Sequence, residues 1–281
     1  MPGPDRPPGA QSTGAPYTGT WVVDLDGVVW LADQPITGSA EAVAALRRAD
    51  RRVLFATNNA SPTIDELIAR LSAAGISAGP DDIVTSAQAA ASMLAPGSRA
   101  LACADGGVIE ALAARGVLVV EADALETTPV DAVVVGWTRR FDFDLLATTA
   151  AAVRAGARLV GTNEDPTHPT PRGLLPGSGA LLAAVATAAQ TTPEVAGKPH
   201  DPLVALVRAR APDAVVVVGD RPSTDGALAQ RLGLPFALVR SGVTAAGDEP
   251  MVVEPDEEAD DLHSLVRRLL EGGSSRGTAD G

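Results

Sequence analysis

The stretch WVVDLDG, residues 21–27, begins as an unbroken apolar run and ends in two carboxylates one residue apart, followed by glycine. A short run of Trp and Val closed by a turn signal reads as a strand buried on both faces, the habit of parallel strands covered by helices. In open α/β sheets, ligands bind beyond the carboxyl ends of the strands. Asp24 and Asp26 are therefore expected at the mouth of the sheet, with Gly27 letting the chain turn sharply after it. Two carboxylates at this spacing divide labour. One binds a hard cation and attacks as a nucleophile, and the other supplies or takes up a proton.

Three further strand ends carry polar residues of the same kind. In FATNN, residues 55–59, a strand closes on Thr57, whose hydroxyl and neighbouring backbone N–H groups suit phosphoryl oxygens. In GKP, residues 197–199, Lys198 is the sole lysine of the chain, a compact charge whose direction is constrained by the proline after it. In VVVVGD, residues 215–220, a Val run ends on Asp220, with Asp225 five residues on. Asp220 suits a direct ligand of Mg²⁺ and Asp225 a supporting or water-mediated one. One such turn is ordinary loop chemistry. Four of them in the order Asp-x-Asp, Thr, Lys, Asp, all expected on one sheet edge, point to one site.

Around these motifs, apolar runs alternate with Ala-rich helical stretches. Expected strands are Trp21–Leu25, Val53–Thr57, Ala100–Ala104, Leu118–Val120, Ala132–Val135, Arg158–Gly161, Ala214–Val218 and Pro235–Val239. Ser61-Pro62 and Asp201-Pro202 read as N-cap and first helical residue, and Gly75 as a helix stop. The β-α-β-α order implies an α/β protein with a Rossmann-like, mostly parallel sheet and helices on both faces. The motifs cluster near residues 24–59 and 197–225, and the stretch between them has its own strand–helix pattern. The expected organisation is a discontinuous core, 19–90 and 191–271, an inserted α/β domain, 91–190, and disordered tails at 1–18 and 272–281.

Composition narrows the function. The net charge of −13 and an aromatic content of 3% exclude a nucleic-acid platform, which wants a basic stripe or stacking rings. An anionic substrate then needs its positive charge supplied locally, by a metal ion and a few cationic side chains. The 281 residues contain no apolar run of membrane-spanning length, no secretory leader and a single cysteine, Cys103, so a cytoplasmic setting is expected. Trp30 reads as a packing residue, and Arg139 and Arg140 as solvated.

The segments DLDGVVW, FATNNAS, AGKPH and VGDRPSTD resemble, in order, the four motifs of the haloacid dehalogenase-like hydrolase superfamily, over residues 20 to 270. The long insert, with DAVVVGWTRRFDFDLL and GTNEDPTHPTPRGLLPGSG, is similar to the class IIA cap of the NagD, p-nitrophenylphosphatase and phosphoglycolate phosphatase branch. With DIVTSAQAAA and VAGKPH it resembles actinobacterial glycerol phosphate phosphatases in particular. The resemblance implies an Mg²⁺-dependent phosphatase acting on a small phosphate monoester through an aspartyl-phosphate, with glycerol phosphate as the indicated ester. It implies Asp24 as nucleophile and Asp26 as general acid–base, with the backbone carbonyl of Asp26 on the metal. Thr57, Lys198 and the backbone N–H of Asn58 would hold the phosphoryl group. Asp24, Asp26, Asp220 and Asp225 would form the metal site. Asn163, Asp165, His168 and Arg172, in a polar proline-rich loop of the insert, are candidates to meet the leaving group. That loop reads TNEDPTHP, where many relatives have TNPD and a different continuation, so the leaving group stays open. Family members also form homodimers through the cap. The competing readings are a phosphotransferase using the same intermediate and a non-catalytic phosphometabolite-binding protein.

Overall fold

The computed structural model describes residues 17–32, 34–120, 122, 129–170, 173–242 and 252–271. The expected tails, apart from residues 17 and 18, lie outside the described residues, and so does Arg172.

Two parallel sheets organise the chain. The larger has six strands in the order Glu257–Ala259, Phe236–Val239, Ala214–Gly219, Thr20–Val23, Val53–Thr57 and Ile83–Thr85. Every neighbouring pair is parallel. From the central strand Thr20–Val23 the chain first builds outward on one side, then returns to build the other. The order therefore reverses between Thr20–Val23 and Ala214–Gly219, and the crevice outside that reversal is where such sheets hold ligands. The smaller sheet is also parallel, in the order Glu194–Val195, Arg158–Gly161, Ala132–Val135, Arg99–Cys103 and Leu118–Val120. Its last strand lies four residues past position 190, so the sheet draws on residues 99–195.

The central strand runs are largely apolar because both faces are covered. Trp21, Val23, Val53, Phe55, Val216 and Val218 face one apolar cluster with helices Ser39–Arg48 and Leu262–Glu271. Val22, Leu54, Ala56 and Val217 face the other, which continues without a break into Ala100, Ala132, Val134 and Val160 of the smaller sheet. A third cluster lies beyond the smaller sheet, where Leu101, Cys103, Val133 and Val135 meet helices Phe143–Arg154 and Ser178–Ala189. Each large apolar side chain buried this way contributes about 1.5–3 kcal/mol of transfer free energy.

Helix starts differ from the sequence reading in two places. The helix expected to begin at Ser61-Pro62 runs Ile64–Ala73, because Thr63 and Glu66 form a reciprocal capping box. The Thr63 hydroxyl accepts the Glu66 N–H at 3.2 Å, and the Glu66 carboxylate accepts the Thr63 N–H at 2.9 Å. Gly75 follows that helix in the left-handed region, φ +84°, as a stop glycine should. The second helix is Asp201–Arg210, with His200 and not Asp201 at the cap position and the proline inside the first turn. A third difference lies in GTNEDPTHPTPRG. Part of this expected connecting loop is an antiparallel hairpin, Thr167–Thr170 with Gly173–Pro176. Among the described residues no helix is long and apolar enough to cross a membrane.

Candidate active site

The carboxyl ends of the two central strands bring the sequence motifs together. Asp24 follows Thr20–Val23, and its N–H still pairs with Val218 O at 2.9 Å. The chain then turns tightly. Leu25 O accepts the N–H groups of Val28, Val29 and Trp30, which is why the strand stops short of the expected Leu25. Gly27 adopts φ +86°, and a Cβ there would collide with the Asp220 carboxylate. Gly242 packs close to Gly27 against the same carboxylate, and a Cβ there would also collide with Asp220. Two glycines thus form a cradle in which one aspartate is pinned beside Asp24.

Lys198 is the electrostatic centre. It is 3% exposed, and its three ammonium protons have three acceptors: Asp24 Oδ1 at 2.7 Å, Asp225 Oδ1 at 2.7 Å and Ala56 O at 2.9 Å. Asp225 sits in a π-type turn, Pro222–Gly226, where its Oδ2 also accepts the Arg221 N–H at 3.2 Å. Burial pulls the Lys198 pKa down, but the Asp225 and Asp24 carboxylates outweigh it and raise the pKa above the ordinary lysine value. Asp24 moves up well above the usual carboxylate range. Burial is the main cause, Lys198 opposes it, and the neighbouring Asp225, Asp220 and Asp26 add to it.

Three carboxylates against one ammonium is an unbalanced buried set. Asp24, Asp220 and Asp225 are each under 10% exposed, and each offers an oxygen within 4.8 Å of the others. Hard oxygen donors with excess negative charge, shielded from water, fit Mg²⁺. The Asp225 carboxylate has a partner on each oxygen, Lys198 Nζ and the Arg221 N–H.

Asp26, Thr57, Asn58, Asn163, Asp165 and His168 line the same cavity as Asp24, Lys198 and Asp220. Asp26 is held from two sides, by Trp30 Nε1 donating to Oδ1 at 3.0 Å and by the Thr57 hydroxyl 3.5 Å from Oδ2. The Thr57 hydroxyl also accepts the Asn59 N–H at 3.0 Å. Asn58 joins Lys198 directly, its Oδ1 accepting the Lys198 N–H at 2.7 Å. From the connection after strand Arg158–Gly161 come Asn163 and Asp165, and from the hairpin strand Thr167–Thr170 comes His168. The His168 ring lies 5.3 Å from the Trp137 ring, centroid to centroid. Asp165 lies 3.6 Å from Arg221 Nη1, and burial raises its pKa against the pull of Arg221 and Asn58. The cavity measures about 90 Å³.

Several contributors escaped the sequence reading. Arg221 was hidden by its position between two aspartates that drew attention. Trp30 packs as expected but also donates to Asp26. Trp137 lies in the segment that resembled the cap, yet nothing in its spacing singled it out. Arg139 stacks over Trp137 at 5.7 Å, and the Arg140 side chain is largely exposed.

Comparison with known proteins identifies relatives of the chain. Residues 21–118 match the haloacid dehalogenase-like hydrolase family, and residues 195–265 match a family described as HAD-hydrolase-like. The chain is similar to the D-glycerol 3-phosphate phosphatase of Mycobacterium tuberculosis, 43% identical over 87% of this chain and 70% of the relative. It is also similar to an acid sugar phosphatase of Staphylococcus saprophyticus, 32% identical over 89% and 97%. Among solved structures, the M. tuberculosis glycerol phosphate phosphatase in complex with magnesium superposes with a TM-score of 0.79 at 41% identity, covering 90% of this chain and 78% of that one.

Proposed function

The chain belongs to the haloacid dehalogenase-like hydrolase family, and from that footing we propose that it hydrolyses a small polyol phosphate monoester, glycerol phosphate above all, through a phosphoryl group carried on Asp24. It is a magnesium-dependent phosphatase. The observation that carries the assignment of residues is the buried Lys198, bonded at 2.7 Å to both Asp24 and Asp225 on the sheet edge that also holds Asp220.

In this reading an Asp24 carboxylate oxygen attacks phosphorus as the ester oxygen departs. Asp26, oriented by Trp30 and Thr57, gives its proton to that oxygen, releasing the free alcohol. Water then attacks the same phosphorus, Asp26 takes up its proton, and phosphate leaves with Asp24 restored. Lys198, Thr57 and the Asn58 N–H hold the phosphoryl oxygens. Asp24, Asp220 and the Asp26 carbonyl would hold Mg²⁺, which would supply the positive charge that lets an anion approach an anion. Asp225 fixes Lys198 in place.

Substrate size follows from the cavity. A compact cavity of about 90 Å³ favours a small ester such as a three-carbon phosphate over a nucleotide. We read residues 91–190 as a cap over the site. Pairing of two copies through this cap, which the family resemblance implies, would be tested by sedimentation equilibrium at micromolar concentration. The activity itself is tested by phosphate release from a panel of esters with Mg²⁺ and with EDTA. The expected result is metal-dependent release that favours glycerol phosphate over nucleotides. Release unaffected by EDTA would overturn it.

A further inference from the structure

Asn163 and Asp165 line the cavity, but their polar atoms are committed to the floor of the site and not to the space a leaving group would fill. Asn163 Nδ2 donates to Asn58 O at 2.7 Å, and Asn163 Oδ1 accepts the Asp165 N–H at 3.1 Å. Asp165 Oδ2 accepts from Asn58 Nδ2 at 3.2 Å, and its other oxygen lies 3.6 Å from Arg221 Nη1. Asn58 is a hub. Its Oδ1 accepts the Lys198 N–H at 2.7 Å, its Nδ2 also reaches Lys198 O at 3.3 Å, and its carbonyl takes a second bond from the Ser86 hydroxyl at 2.6 Å. A bond path thus runs from Arg221, next to Asp220 in sequence, through Asp165 and Asn58 to both backbone polar atoms of Lys198. The junction is tight. A Cβ at Gly197 would lie 2.5 Å from Thr162 O and 2.6 Å from Asn58 Oδ1.

We propose that Asp165, seconded by Asn163, is a positioning residue for phosphoryl transfer: it acts through Asn58 on Lys198 and through Arg221 on the Asp220–Asp225 turn, and does not select the leaving group. The inference rests on the assignment of Lys198 and Asn58 to the phosphoryl group. It makes the inserted unit part of the phosphate site and not only a lid over it. Displacements of about 1 Å at a catalytic group cost about 100-fold in rate, so loosening this path slows every substrate alike.

The test separates positioning from leaving-group contact. The kcat and KM of Asp165→Ala are measured for glycerol phosphate and for p-nitrophenyl phosphate, whose leaving groups share no chemistry. Inhibition by inorganic phosphate, which has no leaving group, is measured beside them. The expected result is a fall in kcat/KM of about 10- to 100-fold for both esters by a common factor, with phosphate inhibition weakened about 10-fold. Asn163→Ala should repeat the pattern, so either variant decides the matter if the other fails to fold. His168→Ala, from the hairpin but not part of this bond path, should change the ratio between the two esters and leave phosphate inhibition alone. A changed ester ratio with unchanged phosphate inhibition in Asp165→Ala would overturn the inference while the phosphatase reading stood. Failure of the wild-type enzyme to release phosphate from either ester would sink the phosphatase reading, and this inference with it.

Discussion

Replacing Lys198 by methionine tests whether one ammonium holds the charge balance of the site. Its Nζ lies 2.7 Å from both Asp24 and Asp225, with Asp220 close by and water excluded. Methionine keeps the length of the side chain and removes the charge, leaving buried carboxylates without their counter-ion. Breaking a buried pair from one side costs about 3–5 kcal/mol. A second route to the magnitude gives the same answer. The folded variant relieves the repulsion by taking up one proton on Asp24, because burial already drives the Asp24 pKa up and the charge that opposed it is gone. Holding a carboxyl protonated at pH 7 costs about 1.4 kcal/mol for each pH unit above a reference pKa near 3.9, or about 4 kcal/mol. The sign is fixed by linkage. The folded variant binds a proton that the unfolded chain does not, so its stability falls as pH rises, and the deficit should shrink to about 1.5 kcal/mol at pH 5. Urea unfolding of both proteins in EDTA, at pH 7 and pH 5, reads the difference. In melting temperature, about 4 kcal/mol corresponds to roughly 8–16 °C for a chain of this size class. A deficit under about 1 kcal/mol at pH 7, or one that does not shrink on acidification, would refute the reasoning.

Three other perturbations give distinct outcomes. Thr63→Ala removes the capping box of Ile64–Ala73 and should lower stability by about 1 kcal/mol without touching kcat, as unfolding and steady-state assays would show. Gly197→Ala forces a methyl group against Thr162 O and Asn58 Oδ1. It should cost about 1–3 kcal/mol and depress activity on every ester together, unlike the capping variant. Cys103, buried in strand Arg99–Cys103, has its thiol pushed up to about 12 by burial. At pH 8 it is therefore about one part in ten thousand thiolate. A thiol reagent should find nothing in the folded protein and one group per chain in denaturant, and rapid native labelling would show the strand to be open.

The core site was legible because parallel strands announce themselves as Val-rich runs and their polar ends stand out against them. Asp24, Thr57 and Asp220 each close such a run, and Lys198 stood out as the sole lysine. The short outer strands Ile83–Thr85, Glu194–Val195 and Glu257–Ala259 carried no comparable signal, since two or three residues show no period. The Ser61 cap was misread because its local pattern is sound. What displaced it is the partner Glu66, and Ser61 instead donates to Asp105 at 2.9 Å. A polar loop after a strand reads as a contact surface, which makes Asn163 and Asp165 candidates to meet a leaving group. Their bonds to Asn58 join positions more than a hundred residues apart, which no local pattern encodes. Arg221 is alike in this, since its partner Asp165 lies 56 residues away in the chain.

The central claim is that Asp24 carries the phosphoryl group, and Asp24→Asn addresses it most directly. The amide keeps the size and most of the hydrogen bonding of the carboxylate but cannot attack phosphorus. Glycerol phosphate turnover by this variant, in saturating Mg²⁺ and with folding confirmed by its melting profile, should fall by at least about 1,000-fold. Turnover within about tenfold of the wild-type enzyme would contradict the account, because water would then be attacking the ester without Asp24.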